Sequence, residues 1–362
     1  MDAFENDYGV WRMNETIWEQ LDLAKVNEMV EEMTSLGRYG FDDIARSLAT
    51  GSMDEALYMI GASVTDVFLP GIRESKNLLL SLLVLGIFSM LLQYTFGVVK
   101  SRQVAQLAEY FVYLLVVLLL LENFGYLIKT GQEVITLTKQ FMAALLPAYC
   151  LSLSLAGGAA SAAAQYEFVL LLLMGIDYIL AGLLLPMTQS YLFLVVMDGL
   201  DEKHRMKEFA KLLERLISWG IRICLTVTVI ISGAQSSISA QLSGVQKTVF
   251  QKAVGALPGI GDLSESVTEI LVGSAGLVKN SVGAAAVVVM FLLILRPVWK
   301  VLCIAFTMKL AGACLRFMGQ KSLADTMSGV GEGGILVMRI VTCGCIAFCI
   351  SIAMTLFVMK GG

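Results

Sequence analysis

The chain has one histidine (His204), 5 Pro and 4 Trp among 362 residues, which leaves little material for several kinds of chemistry. One histidine cannot build a multi-histidine metal site or a histidine relay that repeats along the chain. Charge is also scarce, with 15% charged residues against 57% hydrophobic and a mean hydropathy of +0.76. Soluble domains carry about 25% charged and about 45 to 50% apolar residues, so this is the composition of an integral membrane protein. The seven cysteines (Cys150, Cys224, Cys303, Cys314, Cys343, Cys345 and Cys349) all lie in apolar runs. They read as buried small side chains, not as a disulfide framework. Cys345 and Cys349 share a helix face, but no second thiol pair or histidine accompanies them, so no metal site and no cofactor are expected. Met1 to Val10 lacks a basic stretch followed by an apolar one, so the sequence as given is expected to contain no signal peptide.

What is present is unevenly distributed. Residues 1–75 hold 15 Asp or Glu against 5 Lys or Arg, a net of −10; with −4 overall, the rest of the chain is +6. An acidic polar head therefore precedes a cationic membrane body. In the head, Leu23, Val26, Val30 and Met33 recur at helical spacing, Asn14 can cap that helix, and Ser52 with Glu55 forms a capping box. So small a head needs the body or a partner to complete its core.

From Asn77 on, six stretches are long enough to cross a hydrocarbon layer of about 30 Å: 77–99, 107–128, 168–197, 217–238, 282–308 and 335–359. A seventh, 141–164, ends in small residues and reads as re-entrant or interfacial, so the count is about six, with seven or eight if such segments cross. With six, the basic clusters at Lys100 and Arg102, at Lys203 to Arg215, and at Lys309 to Lys321 share one side, which the positive-inside rule makes cytoplasmic. The head and 241–279 then face outward. The fold class is an all-α polytopic membrane protein with a small helical head.

Pro147 and Pro186 are spaced like Pro258 and Pro297, at an offset of 111 at which Gln140 meets Gln251 and Met197 meets Met308; a further shift of six aligns Arg222 with Arg339. Leu-Pro pairs (69–70, 146–147, 257–258) precede three span pairs. The expected units are the head (1–75), a first hairpin (76–130), repeat A (131–238) and repeat B (239–362), with the four prolines as hinge candidates. Pro186 and Pro297 are expected to break or kink long spans.

Ionisable residues inside spans are costly, about 2.5 to 3.5 kcal/mol each on the lenient insertion scale, and so point to function or pairing. Asp177 is the deepest; Arg296, Lys300, Arg222, Arg339, Glu109 and Glu122 are the others. They suggest a polar pathway or inter-helix pairs, such as Asp177 with Arg296. Gly329, Gly331 and Gly334 spell a dinucleotide fingerprint, but no strand precedes them and a span follows, so a flexible hinge is expected instead. Residues 203–219 form an amphipathic basic helix that should lie on the anionic leaflet, an anchor and not a nucleic-acid site. Small-residue pairs such as Gly157 with Ser161 would allow close helix contact or self-association.

The acidic head, LPGI (69–72), ALPGIGDLSES (256–266) and the run VVVMFLLILRPVWKVLCIAFTMKLAGA together resemble the stage III sporulation protein AE family. The resemblance implies a multi-pass protein of the mother-cell-derived outer forespore membrane. Its partners would be the other membrane proteins of the channel complex joining mother cell and forespore, which supports late forespore gene expression. It supplies no catalytic residues, and no enzyme activity is expected. A self-sufficient secondary transporter or permease stays open beside the channel subunit, on the strength of the repeats, the proline breaks and Asp177.

Overall fold

The computed structural model of the chain describes residues 23–33, 40–50, 72–73, 75–91, 94–95, 102–157, 159–201, 205–254 and 261–358. The Glu109 side chain, Pro258, the Leu69-Pro70 and Leu257-Pro258 pairs, Asn14 and the Ser52–Glu55 capping box lie outside the described residues. All elements among those residues are helical, and the protein is an all-α polytopic membrane protein.

Two short helices form the head, α1 (Ala24–Met33) and α2 (Phe41–Thr50). Leu23, Val26 and Val30 share one face and are buried. At the start of α2 the Gly40 N–H donates to Asp43 at 2.9 Å, and the Asp42 N–H donates to Asn27 of α1 at 3.1 Å. These bonds satisfy donors that a helix start leaves open, and they tie the two helices together.

The body consists of α3 (Ser75–Leu91), α4 (Arg102–Gly157), α5 (Ala159–Ile179), a π-helical turn (Leu180–Leu184), α6 (Leu185–Asp198), α7 (Lys207–Val254), α8 (Gly261–Phe317) and α9 (Lys321–Val358). Five stretches are long and apolar enough to cross a membrane: Tyr110–Ser152, Glu167–Asp198, Lys207–Ala234, Asn280–Phe317 and Lys321–Ala353. α3 is a shorter apolar helix that covers most of the expected span at 77–99; of the remainder, only Tyr94 and Thr95 are among the described residues, and both are helical.

Three expectations are corrected. The stretch 141–164 is not a separate re-entrant segment: its first part continues α4, which runs unbroken through 128–141 and carries Pro147 on an exposed face. The amphipathic segment 203–219 does not form its own surface helix, because α7 is continuous from Lys207. The prolines also differ. Pro186 follows the π-helical turn, as expected where a missing N–H and a ring clash disturb the ladder, whereas α8 carries Pro297 without interruption. Residues 130–131 and 238–239, where the sequence suggests unit boundaries, both lie inside helices.

The direction of each helix follows from its contacts. Tyr113, near the start of α4, donates to the Val196 carbonyl at the end of α6 and bonds Thr326 near the start of α9. Ser322 donates to the Gly199 carbonyl at 2.7 Å. One end of the bundle therefore gathers the start of α4, the α6–α7 turn and the α8–α9 turn, together with their basic residues. The latter turn is short because α8 stops in a glycine cap: Gly319 has φ 83°, and the Gln320 N–H bonds the Leu315 carbonyl. At the other end the head seats on the bundle, where the Phe41, Phe141 and Phe348 rings form a ladder with centroid spacings of 6.4 and 6.1 Å. α6 and α8 run toward the basic end, and α7 and α9 run away from it.

Candidate functional site

At the basic end, Asp325 of α9 accepts from Arg316 of α8 and lies 3.8 Å from Lys207 of α7, so one carboxylate holds three helices. Lys309 of α8 pairs with Glu332 of α9 one level deeper. Tyr191 donates to the Gly329 carbonyl at 3.3 Å. Beside these contacts lies a cavity of about 130 Å³ lined by Tyr191, Asp198, Lys207, Lys211 and Asp325, among others. Small-molecule sites are usually about 300 to 1,000 Å³, so this cavity suits water or a single small ion and not a metabolite.

The glycine motif proves to be a packing node inside a continuous helix, not a hinge. A Cβ at Gly331 would lie 2.9 Å from the Ala305 carbonyl oxygen, and one at Gly334 2.9 Å from the Ala305 Cβ, both on α8. Gly329 and Gly333, on another side, admit Val195 and Leu192 of α6. On the facing helix Gly312 is pressed against the backbone of α9 at Ala324 and Ser328. Close helix approach of this kind suits a bilayer, where packing and hydrogen bonds replace the hydrophobic drive between helices.

The intramembrane charges are spread out. Asp177 is buried, with 7% of its surface exposed, and the cation that bears on it is Lys139 of α4. It has no ion pair with Arg296, whose side chain is exposed. Lys139 lies on the head side of the exposed Lys129–Glu133 pair (3.7 Å), so Asp177 sits toward the head end of the bundle. The Lys300 ammonium lies over the Tyr126 ring at 4.7 Å from its centroid. Glu122, Arg222 and Arg339 are exposed on α4, α7 and α9. Glu109 lies in α4.

A family model described as "Stage III sporulation protein AE" matches residues 39–358. The chain belongs to this sporulation protein family. It is similar to "Stage III sporulation protein AE" of Bacillus subtilis (strain 168), 24% identical over 267 residues, which covers 74% of this chain and 67% of that one. No solved structure matches. The matched region takes in α2 and every helix of the body.

Several residues of the basic-end network escape sequence reasoning: Tyr113, Asp325, Thr326 and Glu332. Asp325 and Glu332 leave a signal, since two carboxylates seven residues apart on α9 stand out directly after a basic turn. Gly329 and Gly333 show the spacing of four residues that marks close helix contact. Tyr113 leaves none, because a tyrosine in an apolar run looks like any other core aromatic.

Proposed function

We propose that the protein is a non-enzymatic membrane subunit of the channel or secretion-like complex that connects mother cell and forespore, residing in the outer forespore membrane. In this reading the basic end is cytoplasmic, the head end faces the space between the two membranes, and the complex supports late forespore gene expression. The observation that carries it is length. From Lys129, where α4 turns polar, to Gly157 the helix continues for about 42 Å at 1.5 Å per residue. α8 and α9 extend in the same direction, and the acidic head packs in one apolar core with Val282 and Val289 of α8 and Phe348 of α9. A membrane protein that only moves solute has no use for so tall a column; one that meets partners between membranes does. The other membrane proteins of the complex would contact the head and the column, and neither cofactor nor nucleic acid enters.

The second reading is a self-sufficient transporter, favoured by buried Asp177 one turn before the π-helical turn. Photo-crosslinkers at the exposed Arg46 of the head and at Lys139 of the column separate the two. In sporulating cells the channel subunit yields adducts with other membrane proteins at both positions. Solute uptake by the purified protein alone in vesicles, with no such adducts, would overturn the proposal in favour of the transporter.

A further inference from the structure

Two exposed charges of opposite sign lie on opposite flanks of the bundle at matching depth. Glu122 continues an exposed stripe of α4 that includes Phe111, Leu115 and Leu118. Arg222 sits in the exposed stripe of α7 between Trp219 and Ile223. Among the described residues neither has an ion-pair partner within the chain. α4 and α7 do not pack together; α9 and α6 lie between them and pack against both.

Their depths can be read from the basic end. Tyr113 bonds Thr326, and Thr326 lines the same cavity as Lys211, so Tyr113 and Lys211 mark one level. Glu122 is about 14 Å above that level on α4 and Arg222 about 17 Å above it on α7, at 1.5 Å per residue. The next exposed charges above Glu122 on α4 are the Lys129–Glu133 pair, within the apolar stretch Tyr110–Ser152. Both charges therefore fall inside stretches long and apolar enough to cross a membrane, Tyr110–Ser152 and Lys207–Ala234, well away from their basic ends. Left facing lipid, each is strongly disfavoured.

We infer that copies of this chain associate side by side in the membrane, head to tail, with Glu122 of one copy paired to Arg222 of the next. A two-fold contact would place like beside like, Glu122 on Glu122 or Arg222 on Arg222. Only the heterologous arrangement neutralises both, and such contacts propagate into a ring when the rotation closes. Arg296 and Arg339 fit the role less well, because α8 and α9 each pack against α4 and so cannot form the flank opposite it. The inference does not depend on the channel proposal, although a ring would suit it.

The test uses full-length chains with two different tags, co-expressed and treated in native membranes with a bis-maleimide crosslinker. One copy carries Glu122→Cys and the other Arg222→Cys; like-with-like pairs and the unsubstituted chain set the background from native cysteines. The expected mixed-tag dimer exceeds every control by about tenfold, equivalent to about 1.4 kcal/mol of preference. A mixed dimer no more abundant than the like pairs overturns the contact. A charge-swap series gives a second measurement: Glu122→Arg and Arg222→Glu each lower the solubilised oligomer about tenfold, and the double swap restores it. A monomeric wild-type protein, or a double swap no better than the singles, also overturns it. An intact oligomer that captures no other membrane protein would count against the channel proposal alone.

Discussion

The bundle is held differently at its two ends. At the basic end the helices are joined by polar bonds that cross between them, from Tyr113, Tyr191, Ser322, Asp325 and Lys309, and by glycines that bring α8 and α9 into backbone contact and admit side chains of α6. At the head end the joint is an apolar core, with Phe41 and Ile44 of the head buried against Phe141, Val282, Val289 and Phe348. The two environments account for the contrast. Inside a bilayer, burying an apolar side chain against another helix gains nothing over burying it in lipid, so small residues and hydrogen bonds must provide the specificity. In the proposed topology the head and column project beyond the bilayer, and there removing apolar surface from water is itself stabilising, at about 25 cal/mol per Å².

The contrast can be broken most forcefully at Phe141. Phe141→Ala removes a fully buried ring between two others and should cost about 3 to 5 kcal/mol. The expected readout is proteolysis of the head in membranes where the fragment containing α6 to α9 stays protected. Loss of the whole protein would show that the two cores are one cooperative unit.

Gly331→Val attacks the other end. The new Cβ meets the Ala305 carbonyl, which is backbone and cannot swing aside, so overpacking should cost about 1 to 3 kcal/mol. The measurement is thermal aggregation of detergent-solubilised protein. A midpoint unchanged from wild type would mean that α8 and α9 are less closely packed than described.

Smaller effects sharpen the comparison. Tyr113→Phe deletes a hydroxyl that donates at 2.8 Å to Val196, and leaves the ring in place; about 1 kcal/mol is expected, read in the same assay. Asp325→Asn weakens contacts to Arg316 and Lys207 whose side chains are half exposed, and should shift stability by at most about 1 kcal/mol, less at high salt. An Asp325→Asn effect larger than that of Tyr113→Phe would reverse the ranking.

The apolar runs made the membrane class and most of the spans legible, and the spacing of Leu23, Val26 and Val30 made the first head helix legible. The continuation of α4 through 128–141 was not, because Lys129, Glu133 and Lys139 look like a loop between spans. Nothing there breaks a helix, however, and Lys129 and Glu133 form an i,i+4 pair on its wet face. Asp177 shows a different limit. Counting residues from the end of a span measures depth in one dimension, and neither its partner Lys139 nor the tilt of α4 is contained in that count. The glycine motif was visible as a pattern; what it packs against was not, since that depends on which helices α9 meets.

The central claim is that the three basic turns share one side of the membrane while the column and head project from the other. Cysteines introduced at Lys207 and Lys321, and separately at Lys139 and Arg46, can be reacted in intact non-sporulating cells that express the chain in the cytoplasmic membrane, with a membrane-impermeant maleimide and the unsubstituted chain as background. The account predicts labelling at Lys139 and Arg46 only, with Lys207 and Lys321 reacting once the membrane is opened. Labelling of Lys207 in intact cells as readily as of Lys139 would contradict it.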